Sequence, residues 1–136
     1  MARSPAVARV LSTTPGLVFE AVKPTADKDA YSEADLQRFM HGFQRAMCAA
    51  ADTENMDVLG EFLQTAVPAH SAVGLPALGL LANSAGLLVT VSAAVLERLE
   101  GGERKDAAQW LALYTSTYIA QLYGLLAPHL PKGGGA

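Results

Sequence analysis

LPALGLLANSAGLLVTVSAAVL, residues 75–96, contains no Asp, Glu, Lys or Arg, and neither does AAQWLALYTSTYIAQLYGLLAPHL, residues 107–130. Both stretches are rich in Leu, Ala and Val, and only the charged turn of residues 97–106 parts them. A helix without a polar face has to be sheltered all round, by lipid or by other protein. A bilayer span needs roughly 20 mostly apolar residues, so each stretch is long enough for half of a membrane hairpin. Several residues oppose that reading. Asn83 and Ser84 fall midway along the first stretch, and Gln109, Thr115, Ser116, Thr117 and Gln121 are spread along the second. Basic clusters that would orient a hairpin are missing beyond Arg98, Arg104 and Lys105 in the turn. The two stretches are therefore expected to be helices sheltered by protein, with a membrane hairpin as the alternative.

Upstream lie two amphipathic helices that need such cover. From Ser32 to about Ala51, Leu36, Phe39, Met40, Phe43 and Met47 recur at three- and four-residue steps, with Gln37, Arg38, His41, Gln44 and Arg45 on the opposite face. Ser32 is a natural N-cap, and Asp35 comes close to a capping box. After Asp52 and Thr53, the stripe Met56, Leu59, Leu63 and Ala66, with Phe62 alongside, predicts a second helix that Pro68 stops. Residues 68–74, including His70, then read as a linker. The third helix is expected to open at Pro76 and run to Glu100, where Gly101 and Gly102 supply a left-handed stop. Glu103 and Asp106 favour the positive end of a fourth helix, which continues through Trp110, Tyr114, Tyr118 and Leu122 to Pro128.

Residues 1–30 are weakly patterned. Ser4-Pro5 and Thr14-Pro15 can each start a short helix, residues 15–22 suit one or two turns, Pro24 ends them, and residues 25–30 read as a polar loop. The Gly-rich residues 131–136 read as a frayed tail. The expectation is one all-α domain over residues 1–136: a globin-like or orthogonal helical bundle of four main helices plus short N-terminal helical turns.

At 136 residues and 14.2 kDa the chain has the size of a single domain. Hydrophobic residues make up 51% and charged residues 17%, against roughly 45–50% and about 25% in ordinary soluble proteins. Such a shortage of solvated surface points to apolar surface that belongs to a partner copy or a membrane. Gly79, Gly86 and Ala93, seven residues apart, mark a stripe with little side chain where another helix can approach closely. A homodimer through the last two helices follows as the expectation; the competing reading turns that stripe toward the chain's own fourth helix. A net charge of −3 with no basic block speaks against nucleic acid as a partner. The lone Cys48 permits no internal disulfide, and residues 1–11 lack the continuous apolar core of a secretory signal, both in keeping with a cytoplasmic protein.

Chemistry-bearing residues form no familiar constellation. None of His41, His70 and His129 has a second ligand at helical spacing, no Gly-x-Ser-x-Gly elbow surrounds Ser71, and no Gly-rich loop carries a Lys. No enzyme and no cofactor are expected, with His70 as the candidate axial ligand if haem were held. Phe39, Phe43, Phe62, Trp110, Tyr114 and Tyr118 are the candidate lining of an apolar pocket, and core packing would use them equally well. Such a pocket suits an elongated lipid or small hydrophobe, and Arg38, His41 or Arg45 could meet a carboxylate at its mouth.

Residues 39–47, FMHGFQRAM, followed by residues 52–63, DTENMDVLGEFL, a break at Pro68 and two long helices, resemble the non-haem globin-like sensor domains found at the N-terminus of stressosome co-antagonist proteins and alone among sporulation-control proteins. The resemblance covers residues 32–127. It implies an all-helical bacterial regulatory module that dimerises through its last two helices, often lacks haem and in some members holds a fatty acid. It assigns no ligand residue to this chain.

Overall fold

Ser32 accepts a hydrogen bond from the Asp35 N–H at 3.1 Å and so starts the longest amphipathic helix, Glu33–Thr53, at the place its sequence marks. The computed structural model describes residues 2–26, 29, 31–72, 74 and 76–130. The anticipated tail, residues 131–136, lies outside them, as do three residues of the anticipated 25–30 loop. Among the described residues there are six α-helices and no strand: α1 Pro5–Thr13, α2 Leu17–Val22, α3 Glu33–Thr53, α4 Asp57–Ala72, α5 Ala77–Leu96 and α6 Gly101–Leu126.

Helix α3 organises the rest. It touches α1 and α2 along one part of its surface and α4 along another, while α5 and α6 pair as a hairpin, α5 reaching α2 and α6 reaching α4 and α1. The apolar stripe of α3 is buried as its periodicity requires, with Phe43, Ala46, Met47 and Ala50 fully sequestered. On α5 the buried positions are Leu80, Ser84, Leu88, Val91 and Val95, and on α6 Ala107, Trp110, Leu111, Tyr114, Tyr118, Leu122 and Leu126. Both sets recur at three- and four-residue steps, so each long helix buries one face only.

The short N-terminal helices form where Ser4-Pro5 and residues 15–22 place them, and three other expectations are corrected. The N-terminal segment is an integral layer of the core: Val7 and Val18 are fully buried, Ser4 caps α1 through Val7 N–H, and the Ser4 N–H donates to the Ala51 carbonyl at 2.9 Å. Gln44 is not on a solvent face. It is buried, accepts from the Val18 N–H at 3.1 Å through Oε1, and donates through Nε2 to the carbonyls of Leu11 at 2.9 Å and Thr14 at 3.0 Å. One amide thus serves the loose carbonyls where α1 ends and a loose N–H where α2 begins.

Pro68 does not stop α4, which continues to Ala72 and carries His70 on its last turn. The proline deprives the Gln64 carbonyl of its donor, but both residues are exposed, so water can replace the bond, while buried Ala66 anchors that part of the helix. Finally, α5 ends at Leu96 instead of Glu100. Tight bonds from Arg98 N–H to Val95 and from Leu99 N–H to Leu96 close it, because Leu99 has to turn back into the core. Gly101, at φ 58°, is left-handed as anticipated, but it opens α6 and does not close α5.

Candidate functional site

Between α3 and α4 lies an open cleft of about 610 Å³. Tyr31, Phe39 and Phe62 supply aromatic surface to it, Val58, Ala66, Ala69, Ala72 and Gly42 supply small apolar surface, and Asp35, Arg38, Arg45, Glu61 and Thr65 supply the polar groups. Helical geometry explains the grouping. Asp35, Arg38, Phe39, Gly42 and Arg45 recur at three- and four-residue steps on α3, as do Val58, Glu61, Phe62, Thr65, Ala69 and Ala72 on α4. Gly42 is needed for the close approach of these two walls: a Cβ there would sit 3.0 Å from the Phe62 ring.

Charge at the cleft is distributed unevenly. Arg38 is held by Asp35 one turn away on the same helix. Arg45 is exposed and, among the described residues, has no carboxylate at ion-pair distance. Tyr31, immediately before the α3 N-cap, packs edge-on to Phe39 with ring centres 5.6 Å apart, and burial pushes its phenol above the ordinary tyrosine range.

The six aromatic residues expected to line a pocket divide. Phe39 and Phe62 face the cleft; Phe43, Trp110 and Tyr114 are not among the residues that line it and pack on other rings. Phe62 meets Phe43 edge-on at 6.1 Å, Phe43 meets Tyr118 at 5.5 Å, Tyr118 meets Tyr114 at 6.3 Å, and Tyr114 stacks on Trp110 at 5.1 Å. Close packing fills this space, so the pocket sits on the outer side of Phe62 instead. Burial drives the Tyr114 and Tyr118 phenols well above their ordinary range; for Tyr118 the Ser84 hydroxyl partly offsets it, whereas for Tyr114 the neighbouring Tyr118 adds to it. The Tyr114 hydroxyl is buried without a hydrogen-bond partner. At the far end of the row the Trp110 indole N–H donates to the Ala2 carbonyl at 2.7 Å.

His70 is a poor fit for haem. Its ring lies 5.4 Å from Tyr31 and 5.7 Å from Phe39, and its Nδ1 is 2.7 Å from the Ala66 carbonyl. The void that it touches, together with Tyr118, is about 40 Å³, far below the roughly 300–1,000 Å³ of ligand cavities. Among the described residues no three of His, Cys, Asp and Glu converge as a metal site. His41 is exposed and is not part of the cleft.

The small-residue stripe turns away from the chain's own α6. Gly86 and Ala93 are exposed, a Cβ at Gly86 would meet nothing within 4 Å, and Gly79 is partly covered by Pro76. The strongly exposed large apolar side chains of the described residues all belong to the last two helices: Leu78 at 61% and Val89 at 67% on α5, with Leu113, Tyr123 and Leu125 on α6. Among the described residues only α5 is long and apolar enough to cross a membrane.

Tyr31, Gly42 and the α4 row Val58, Thr65, Ala69 and Ala72 were not singled out by sequence reasoning. An aromatic residue just ahead of an N-cap serine is a signal that could have drawn attention to Tyr31. No protein-family model, curated protein or solved structure matches this chain.

Proposed function

We propose that the chain is a non-enzymatic sensory or regulatory module, globin-like in its helical order, that works as a homodimer and answers to a small hydrophobic molecule, of which a fatty acid is one example. The observation that carries this reading is the exposure, on α5 and α6, of the apolar side chains Leu78, Val89, Leu113 and Tyr123, together with the small exposed residues Gly86 and Ala93. At 1.5 Å per residue the 20 residues of α5 extend about 30 Å, and two helices side by side are about 20 Å wide. The face is therefore on the order of 600 Å² in flat projection, and more when its relief is counted, close to the roughly 800 Å² per partner of a standard interface. Exposed knobs and small residues on two helices whose residues 75–96 and 107–130 carry no Asp, Glu, Lys or Arg suit a two-fold contact with an identical copy.

Sensing is assigned to the α3–α4 cleft because Phe62 belongs both to its wall and to the row of rings that ends on α6. A ligand that shifts Phe62 alters the packing behind the dimer face. It biases the dimer only to the extent that it binds one packing better than the other.

Sedimentation equilibrium of the wild type and of a Val89→Glu, Leu113→Glu double variant tests the assembly. The expected result is a wild-type dimer and a folded monomeric variant, since two buried carboxylates per copy would oppose association. A wild-type monomer at micromolar concentration would sink the reading. Retention with lipid after a high-salt wash would replace it with the membrane-hairpin alternative, for which α5 but not α6 is long and apolar enough.

A further inference from the structure

We infer that the α3–α4 cleft selects a planar aromatic anion, such as an aromatic carboxylate, with Arg45 as the group that reads its charge. This rests on the cleft being the ligand site proposed above. Three rings, Tyr31, Phe39 and Phe62, supply aromatic surface, while Ala66, Ala69 and Ala72 of α4 add only small side chains beside them and leave room for a flat body. Aromatic rings gain from edge and offset contacts with a flat ligand beyond what burial alone supplies, and a flexible alkyl chain cannot share that gain.

The polar groups decide the sign. Asp35 is engaged with Arg38, so that pair offers little net charge to a ligand. Arg45 keeps a planar, permanently charged fork with no carboxylate at ion-pair distance among the described residues. A guanidinium in that state matches a carboxylate or sulfonate with two parallel hydrogen bonds. Glu61, on the α4 side of the same cleft, opposes an anion and sets how much of the attraction of Arg45 survives.

The test compares two fluorescent dyes on the intact chain. 8-Anilinonaphthalene-1-sulfonate carries an anion, and N-phenyl-1-naphthylamine has the same rings without it. The expected result is at least tenfold tighter binding of the sulfonate. Arg45→Gln should bring the two dyes within about twofold, Arg45→Lys should restore part of the difference, and Glu61→Gln should enlarge it, in keeping with charge-assisted hydrogen bonding. Displacement of the sulfonate dye should need less 1-naphthoate than laurate.

Equal binding of both dyes at a site that Ala69→Trp abolishes would overturn the anion preference and leave an apolar ligand site standing. Lower concentrations of laurate than of 1-naphthoate would overturn the aromatic preference in the same way. Sulfonate binding that survives Ala69→Trp but disappears in Val89→Glu, Leu113→Glu would put the dye on the α5–α6 face and overturn the inference altogether. Binding of neither dye would remove both the inference and the ligand reading beneath it. Arg45 is exposed, so its variants are expected to fold, and circular dichroism checks this before each titration.

Discussion

Gln44→Leu should be among the most damaging single changes at a position that looks like surface. The substitution deletes three hydrogen bonds, to the Val18 N–H and to the Leu11 and Thr14 carbonyls. Val18 and Leu11 are buried, so their N–H and C=O are left without partners, at about 1–3 kcal/mol each. Thr14 is only half-buried, and its carbonyl keeps the Leu17 N–H as a donor at 3.2 Å. The expected loss is therefore about 2–6 kcal/mol before any gain from burying the leucine, a large share of the roughly 5–15 kcal/mol that holds a domain together. Urea unfolding followed by far-UV circular dichroism measures it, with exposed Gln37→Leu on the same helix as the control, expected within about 0.5 kcal/mol of wild type. Hydrogen exchange at the Val18 amide should accelerate most. Gln44→Glu adds a sign test. It keeps the acceptor for Val18 but sets a carboxylate against two carbonyls, which raises its folded pKa. Its deficit should accordingly shrink as pH falls toward the ordinary glutamate range near 4. An unchanged urea midpoint in Gln44→Leu would refute the claim that this amide holds the α1–α2 turn.

Two further outcomes follow from the buried rings. Because burial raises the Tyr114 and Tyr118 pKa values, both phenols bind protons more tightly folded than unfolded. Their contribution to stability is intact below the ordinary phenol value near 10 and is lost as pH climbs from there through the raised folded values, so a 295 nm titration should show late ionisation coinciding with unfolding. Smooth ionisation of every tyrosine near pH 10 with the fold retained would contradict this. Trp110→Phe keeps most of the stack on Tyr114 but loses the bond to Ala2, which should cost about 1 kcal/mol in urea unfolding and speed proteolysis ahead of Ser4. Unchanged protease resistance would show that the indole N–H does not hold the N-terminal residues.

The long elements were legible because their signals are repeated many times. The α3 stripe from Leu36 to Met47, the Ser32 cap and the charge-free residues of α5 and α6 each rest on several residues that agree. What was not legible depends on single partners brought from afar. Nothing local distinguishes Gln44 from the solvated Gln37; only the docking of a turn 26–33 residues earlier makes it a core residue. Pro68 was misread because its cost is local while the contacts that hold α4 together across it are tertiary. The cleft was half legible for the same reason. Periodicity assigned Phe39 and Phe62 to an apolar face, but whether two rings touch each other or a void depends on how α3 and α4 diverge, which no spacing encodes.

The ties of the first helix to α6 also govern when this chain can finish folding. The Ala2–Trp110 bond and the Arg9–Glu103 ion pair join residues 108 and 94 positions apart, whereas the contact of Ser4 with Ala51 closes a much shorter loop. At about 5–20 residues per second, α1 can settle against α3 on the ribosome while α6 is still roughly 3–15 seconds from being made. During that interval one flank of α1 and the side of Phe43 that later meets Tyr118 lie open, and the newborn chain depends on its surroundings to keep them apart from other unfinished copies. The last helix acts as the clasp that shuts the first one in.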